Sequence, residues 1–137
     1  MKDFYLHTYQ NYTTSTLSLT LEEMEAIYTQ MTKDIPGDED ATELYQDILE
    51  QAVKYVEFRS NWILWDNETK MENDGIRSDF HNSLILKLNV FARYMKSQGY
   101  STEWRDTLGD ENSHSHVRKR IGDFACYMVF INALGAR

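Results

Sequence analysis

One segment in the C-terminal third carries the densest set of side chains that could do chemistry. Residues 109–130 read GDENSHSHVRKRIGDFACYMVF, in which acids, two histidines one residue apart and three consecutive basic residues precede an apolar run. Imidazole and carboxylate groups bind metals and move protons, whereas clustered cations bind phosphate. The segment therefore admits three interpretations: a metal site, a nucleic-acid contact, or the capped start of a core helix.

The metal interpretation depends on how the two histidines are presented. Residues two apart on a helix point about 200° away from one another, so His114 and His116 could share an ion only in an extended segment. Together with Asp110 and the distant His81, these two histidines are the candidate ligands of an alternative function, a metal-dependent enzyme. Zinc spacings such as HExxH are missing from the sequence. We therefore expect no cofactor, and an enzyme is not the preferred interpretation.

The nucleic-acid interpretation combines a base-stacking ring with nearby cations. The three consecutive basic residues point three ways around a helix and do not form one stripe. The net charge of −8 also repels phosphate. Nucleic acid is therefore a third alternative, with these candidate residues: Trp104, Arg105, Arg118, Lys119 and Arg120.

The preferred interpretation of the segment is a capped helix start. An acid or serine at 110–113 suits the positive end of a helix, and the cations that follow are expected to pair with acids elsewhere. The acidic stripe of the helix at 40–65 is one source of those acids.

The clearest element of the chain is that helix at 40–65. Its polar positions step by four and three residues, which predicts one solvated stripe opposite a wide apolar arc. The stripe consists of Glu43, Asp47, Glu50, Lys54, Glu57 and Asn61.

The remaining helices follow from caps and periodicity. A capping box at Thr20 and Glu23 starts a helix over 21–33. Residues 66–75 predict a polar loop, with at most a frayed helical end. A helix over 77–98 follows, capped by Ser78 or Asp79 and ended by Gly99. A short helix begins at Ser101 as N-cap, and the last helix covers about 112–134. We expect an all-α, single-domain bundle (1–137) of four main helices plus one short helix, with residues 1–19 ambiguous.

The composition and hydropathy of the chain predict its cellular location. The chain has one cysteine and therefore no internal disulfide. No apolar run reaches the roughly 18 residues of a membrane span. We expect a cytoplasmic protein that does not contact a membrane.

Two segments carry a family resemblance. ARYMKSQGYSTEWRDTLGD (92–110) and RKRIGDFACYMVFINALGAR (118–137) resemble the C-terminal part of a small group of uncharacterised bacterial proteins. The resemblance implies a compact helical domain and supplies neither an activity nor catalytic residues.

The apolar excess of 124–134 and of the arc on 40–65 favours an interaction protein, because apolar surface that a small domain cannot bury marks interfaces. We expect a protein partner or self-association rather than catalysis. The candidate contact residues are Trp62, Trp65, Tyr127, Phe130 and Leu134.

Overall fold

The computed structural model describes residues 19–109 and 115–135, except for the side chains of 63, 115–119, 134 and 135. These residues are largely helical, and no strand occurs among them. This confirms the all-α bundle. The described helices are α1 (Leu21–Thr32), α2 (Glu39–Leu64), α3 (Asn67–Glu72), α4 (Asp74–Ser97), α5 (Glu103–Leu108) and α6 (Ser115–Gly135).

The predicted capping box begins α1. The Glu23 amide donates to the Thr20 hydroxyl at 3.1 Å, and the Thr20 amide donates to the Glu23 carboxylate at 2.9 Å. The two bonds with Thr20 hold the pKa of Glu23 below its usual range, with a smaller contribution from the charge of Arg120. The Arg120 guanidinium is therefore near an acid of α1.

The solvated stripe of α2 is confirmed, because all six of its polar residues are exposed. Asp38 caps this helix by accepting from the Ala41 amide at 3.0 Å. The opposite side of α2 packs most extensively on α4 and then on α6. Its wide apolar arc thus serves two neighbours, as a helix with such an arc requires.

One cluster of buried apolar side chains joins α1, α2, α4, α5 and α6. The largest continuous contribution comes from α6, in which residues 121–129 are all buried. The α6 run is therefore enclosed by the other helices of the same chain. No helix in the described ranges combines the length and the apolar character needed to cross a bilayer.

Three local predictions need correction. The segment predicted as a loop contains α3, because the Asp66 carboxylate accepts from the Thr69 amide at 2.8 Å and caps a helical turn of polar residues. The bundle thus has two short helices rather than one. Asn73, not Ser78 or Asp79, precedes α4, and Thr102 rather than Ser101 precedes α5. Gly99 follows α4 with a φ of 86°, as a C′ glycine should. The predicted cap at 110–113 lies outside the described residues.

Candidate functional site

Four aromatic rings meet where α2 ends, and we call them the aromatic cluster: Phe58, Trp62, Trp65 and Phe80. Phe58 lies at the centre, with its ring centroid 5.1 Å from Phe80, 5.6 Å from Trp65 and 6.1 Å from Trp62. The two indoles are 6.3 Å apart. All four side chains are only partly buried, so the cluster lies at the surface of the bundle.

Two guanidinium groups border the Trp62 indole. The Arg59 Cζ atom is 5.7 Å and the Arg77 Cζ atom 5.3 Å from the ring centroid, within the range of cation–π attraction. Arg77 is held in place by Asp74, whose Oδ1 accepts from Nε at 3.1 Å and from Nη2 at 3.0 Å. Trp62 is therefore fixed in orientation by charged neighbours as well as by other rings.

A cavity of about 300 Å³ opens beside the same indole. Its lining residues are Trp62, Lys70, Met71 and Asp74. Helix α3 supplies two of them, since the Asp66 cap starts the turn that carries Lys70 and Met71. Asn73 ends that turn, and its side-chain amide donates to the Thr69 carbonyl at 2.9 Å. Helix α3, which the sequence pattern did not predict, therefore forms one wall of the cavity.

Exposed apolar side chains also occur on the elements around this cavity. Met71 lines it and is 79 % exposed, Leu64 at the end of α2 is 79 % exposed, and Ile76 in the first turn of α4 is 47 % exposed. The other large apolar side chains that are exposed in the described ranges are Leu21 and the pair Leu86 and Val90, one turn apart on α4. Exposed apolar residues beside a cavity are typical of interaction surfaces. We call Trp62, Trp65, Met71 and the cavity the Trp62 surface.

The predicted contact residues divide between this surface and the core. Trp62 and Trp65 belong to the Trp62 surface. Tyr127 is only 5 % exposed and packs edge-on against Tyr28, so its prediction as a contact residue is corrected to a core position. Phe130 is half-buried on α6, away from α3, and the Leu134 side chain lies outside the described residues.

The metal interpretation finds no support in the described residues, which hold no group of three potential ligands. His81 is 7 % exposed, and its ring centroid is 6.0 Å from that of Tyr55. Asp110, His114 and the His116 side chain lie outside the described residues. Of the four proposed ligands, His81 is the one whose side chain lies within the described residues.

The nucleic-acid interpretation loses its stacking ring. Trp104 is 1 % exposed and packs 5.7 Å from Phe91, because the apolar side of α5 closes the core. Arg105 donates to the Asn89 side chain at 2.8 Å and to the Gly109 carbonyl, and Arg120 donates to the Thr107 carbonyl at 3.0 Å. These two cations support the backbone around α5. The Arg118 and Lys119 side chains lie outside the described residues.

A hydroxyl and amide network that sequence reasoning missed links α1, α2 and α6. The Tyr28 and Tyr45 hydroxyls are 3.1 Å apart, and the Asn132 amide donates to Tyr45 at 3.0 Å and to the Met128 carbonyl at 2.7 Å. Burial, followed by the bond with Tyr28, raises the pKa of Tyr45. The sequence did not predict this network, because its residues are far apart in the chain. The network fixes the mutual position of three helices.

Two further cavities are lined mainly by polar residues. One of about 360 Å³ lies over the first turns of α2, and another of about 330 Å³ lies beside Arg105. Neither lining includes an aromatic or methionine side chain. The Trp62 surface is therefore the strongest candidate site in the described chain.

Comparison of the chain with protein-family models, with curated proteins and with solved structures yields no significant match. The resemblance to uncharacterised bacterial helical proteins accordingly stays a prediction.

Proposed function

We propose that this protein acts by binding another protein chain through the Trp62 surface, without catalysing a reaction. The observation that carries the proposal is a pair of half-exposed indoles beside a cavity whose rim holds a methionine that is 79 % exposed. Tryptophan, methionine and arginine are enriched at protein interfaces. Tryptophan and arginine in particular supply much of the binding energy.

The surface is also prepared in advance for binding. Phe58 packs on both indoles and on Phe80, and Arg59 and Arg77 lie over the Trp62 ring. A binding residue that is already fixed in its bound orientation loses little conformational entropy on association. This favours recognition by Trp62 as a rigid anchor.

The experiment uses a photo-reactive amino acid placed at Met71 in the full chain, expressed in its native cell. Leu86 is the matched control position, because it is an exposed leucine on α4 (61 %) that does not line the cavity. We expect a discrete cross-linked product at 71 and none at 86. The product is identified, purified and titrated against the unmodified chain.

The titration then decides the role of Trp62. We expect Trp62→Ala to weaken binding by about 2 kcal/mol, or roughly 30-fold, as loss of an interface hot spot does. We expect Leu86→Ala to leave the affinity unchanged. Absence of a product at 71, or equal effects of the two alanine variants, contradicts the proposal.

A further inference from the structure

The lining of the Trp62 cavity contains one positive and one negative side chain beside two apolar ones. Lys70 and Asp74 both line it, together with Trp62 and Met71. In the described part of the chain Lys70 makes no ion pair, and the bonds of Asp74 to Arg77 use only Oδ1. One cation and one carboxylate oxygen are thus available to an occupant.

We infer that this occupant is the same surface of a second copy of the chain, docked about a two-fold axis through the cavity. The inference rests on the proposed function and names the partner of that surface. A two-fold contact places the same patch on both sides, so the patch must be complementary to itself. The Trp62 surface meets that condition in shape and in charge.

The shape condition requires a projection and a hollow on one patch. Met71 supplies the projection, because it lines the cavity and is nevertheless 79 % exposed. The cavity of about 300 Å³ supplies the hollow. A two-fold axis brings Met71 of each copy to the cavity of the other, and the flexible thioether side chain adapts readily to such a site.

The charge condition selects a second copy over a partner of a single sign. An acidic segment would satisfy Lys70 but repel Asp74, and a basic segment would do the reverse. A second copy offers both charges at the same spacing, so that Lys70 of each copy meets Asp74 of the other. Opposite charges paired across an interface fix its register and exclude wrong partners.

The net charge of −8 on each copy opposes this association. The repulsion acts at long range, and salt screens it, since the Debye length falls from about 30 Å at 0.01 M to about 10 Å at 0.1 M ionic strength. We therefore expect dimerisation to strengthen as sodium chloride is raised. An interface driven mainly by attraction between oppositely charged chains would weaken instead.

The test is sedimentation of the full-length chain and of two charge-reversal variants, Lys70→Asp and Asp74→Lys. We expect the unmodified chain to form a dimer, and each variant alone to dimerise at least about tenfold more weakly, because like charges then face each other. Mixing the two variants places opposite charges in both pairs: the aspartate introduced at position 70 meets the lysine introduced at position 74, and the original Asp74 of one copy meets the original Lys70 of the other. We expect the mixture to recover a heterodimer of near-original affinity.

Asp74 also binds Arg77, so Asp74→Lys removes a contact in the first turn of α4 as well. Met71→Arg is the second variant, since a side chain that is 79 % exposed contributes little to the fold, and circular dichroism checks folding of all three. We expect Met71→Arg to be folded and monomeric.

Two results overturn the inference. The first is an unmodified chain that stays monomeric at high micromolar concentration, and the second is a dimer that all three variants leave intact. If a different protein is cross-linked at Met71 in the experiment above, the binding function stands and the second copy is rejected.

Discussion

The Tyr94 hydroxyl lies between the two carboxylate oxygens of Asp38, 2.8 Å from Oδ1 and 2.9 Å from Oδ2. This contact joins the C-terminal half of α4 to the residue that caps α2. The backbone bond from Ala41, and next the Tyr94 hydroxyl, hold the pKa of Asp38 below its usual range. The same contact with Asp38 raises the pKa of Tyr94 to about 12.

The Asp38–Tyr94 contact predicts how stability depends on pH. Because the pKa of Asp38 is lowered in the folded state, its contribution is present above the ordinary value of 3.8 and is lost as the pH falls through the lowered value. Tyr94→Phe should lower the Tm at neutral pH, and the difference from the original chain should shrink in acid. The contribution of Tyr94 should also fade as the pH rises through about 12. A difference in Tm that is the same at every pH would contradict the assignment.

The position of the Tyr55 side chain is predicted to require a glycine at position 122. A Cβ at position 122 would lie 2.8 Å from the Tyr55 hydroxyl oxygen but 3.4 Å from the nearest ring carbon. Tyr55 is buried, so Gly122→Ala should cost about 1–3 kcal/mol through overpacking, offset by about 1 kcal/mol of helix propensity. We expect a net loss in the free energy of unfolding, measured by urea denaturation.

In the control background, the effect of Gly122→Ala on stability should have the opposite sign. In a Tyr55→Phe background the closest atom is gone, and the remaining distances are ordinary contacts. Gly122→Ala should then stabilise the helix by up to about 1 kcal/mol relative to Tyr55→Phe alone. Additive effects of the two substitutions would refute the steric explanation.

Asn132 is predicted to matter through its hydrogen bonds. Replacing it with leucine removes the donor to the Tyr45 hydroxyl and keeps a similar volume. The substitution should lower the free energy of unfolding by about 1–3 kcal/mol, because it breaks a hydrogen bond of the partly buried network. The pKa of Tyr45 should rise further, because the Asn132 bond lowers it. Ultraviolet titration of the tyrosines and thermal unfolding measure both effects, and an unchanged Tm would show that the network is not stabilising.

The tryptophans are predicted to differ in their contributions to stability. Trp104→Ala should cost about 3–5 kcal/mol, as loss of a fully buried aromatic side chain does. Trp62→Ala should cost only about 1–2 kcal/mol, because it loses aromatic pairs at the surface. Denaturation at low protein concentration compares them. Equal losses would mean that Trp62 is a core residue rather than a binding residue.

The helices could be predicted from the sequence where one side of a helix is polar throughout. The stripe from Glu43 to Asn61 identified α2 with its orientation, and the capping box identified the start of α1. Helix α3 was missed because all of its residues except the exposed Met71 are polar, so that it has no apolar periodicity, and because the cap at Asp66 starts it. Local composition alone does not separate such a turn from a loop.

The candidate site could be predicted only in part. Trp62 and Trp65 were predicted as contact residues because they end an amphipathic helix, and both are partly exposed there. The cavity beside Trp62 also needs α3 and the first turn of α4, whose relation no periodicity reveals. Trp104 and Tyr127 were predicted as candidate binding residues, but both are buried in the core. Aromatic residues occur in cores and at interfaces alike, and only tertiary packing decides between them.

The most direct test of the Trp62 surface uses the three tryptophans of the chain as internal probes. Each gives one indole N–H signal in a ¹⁵N-labelled sample, and variants assign the signals. As the protein concentration rises from micromolar to millimolar, we predict that the signals of Trp62 and Trp65 shift together while that of Trp104 stays fixed. If all three signals are unchanged, or if Trp104 alone shifts, the Trp62 surface does not bind a second copy of the chain.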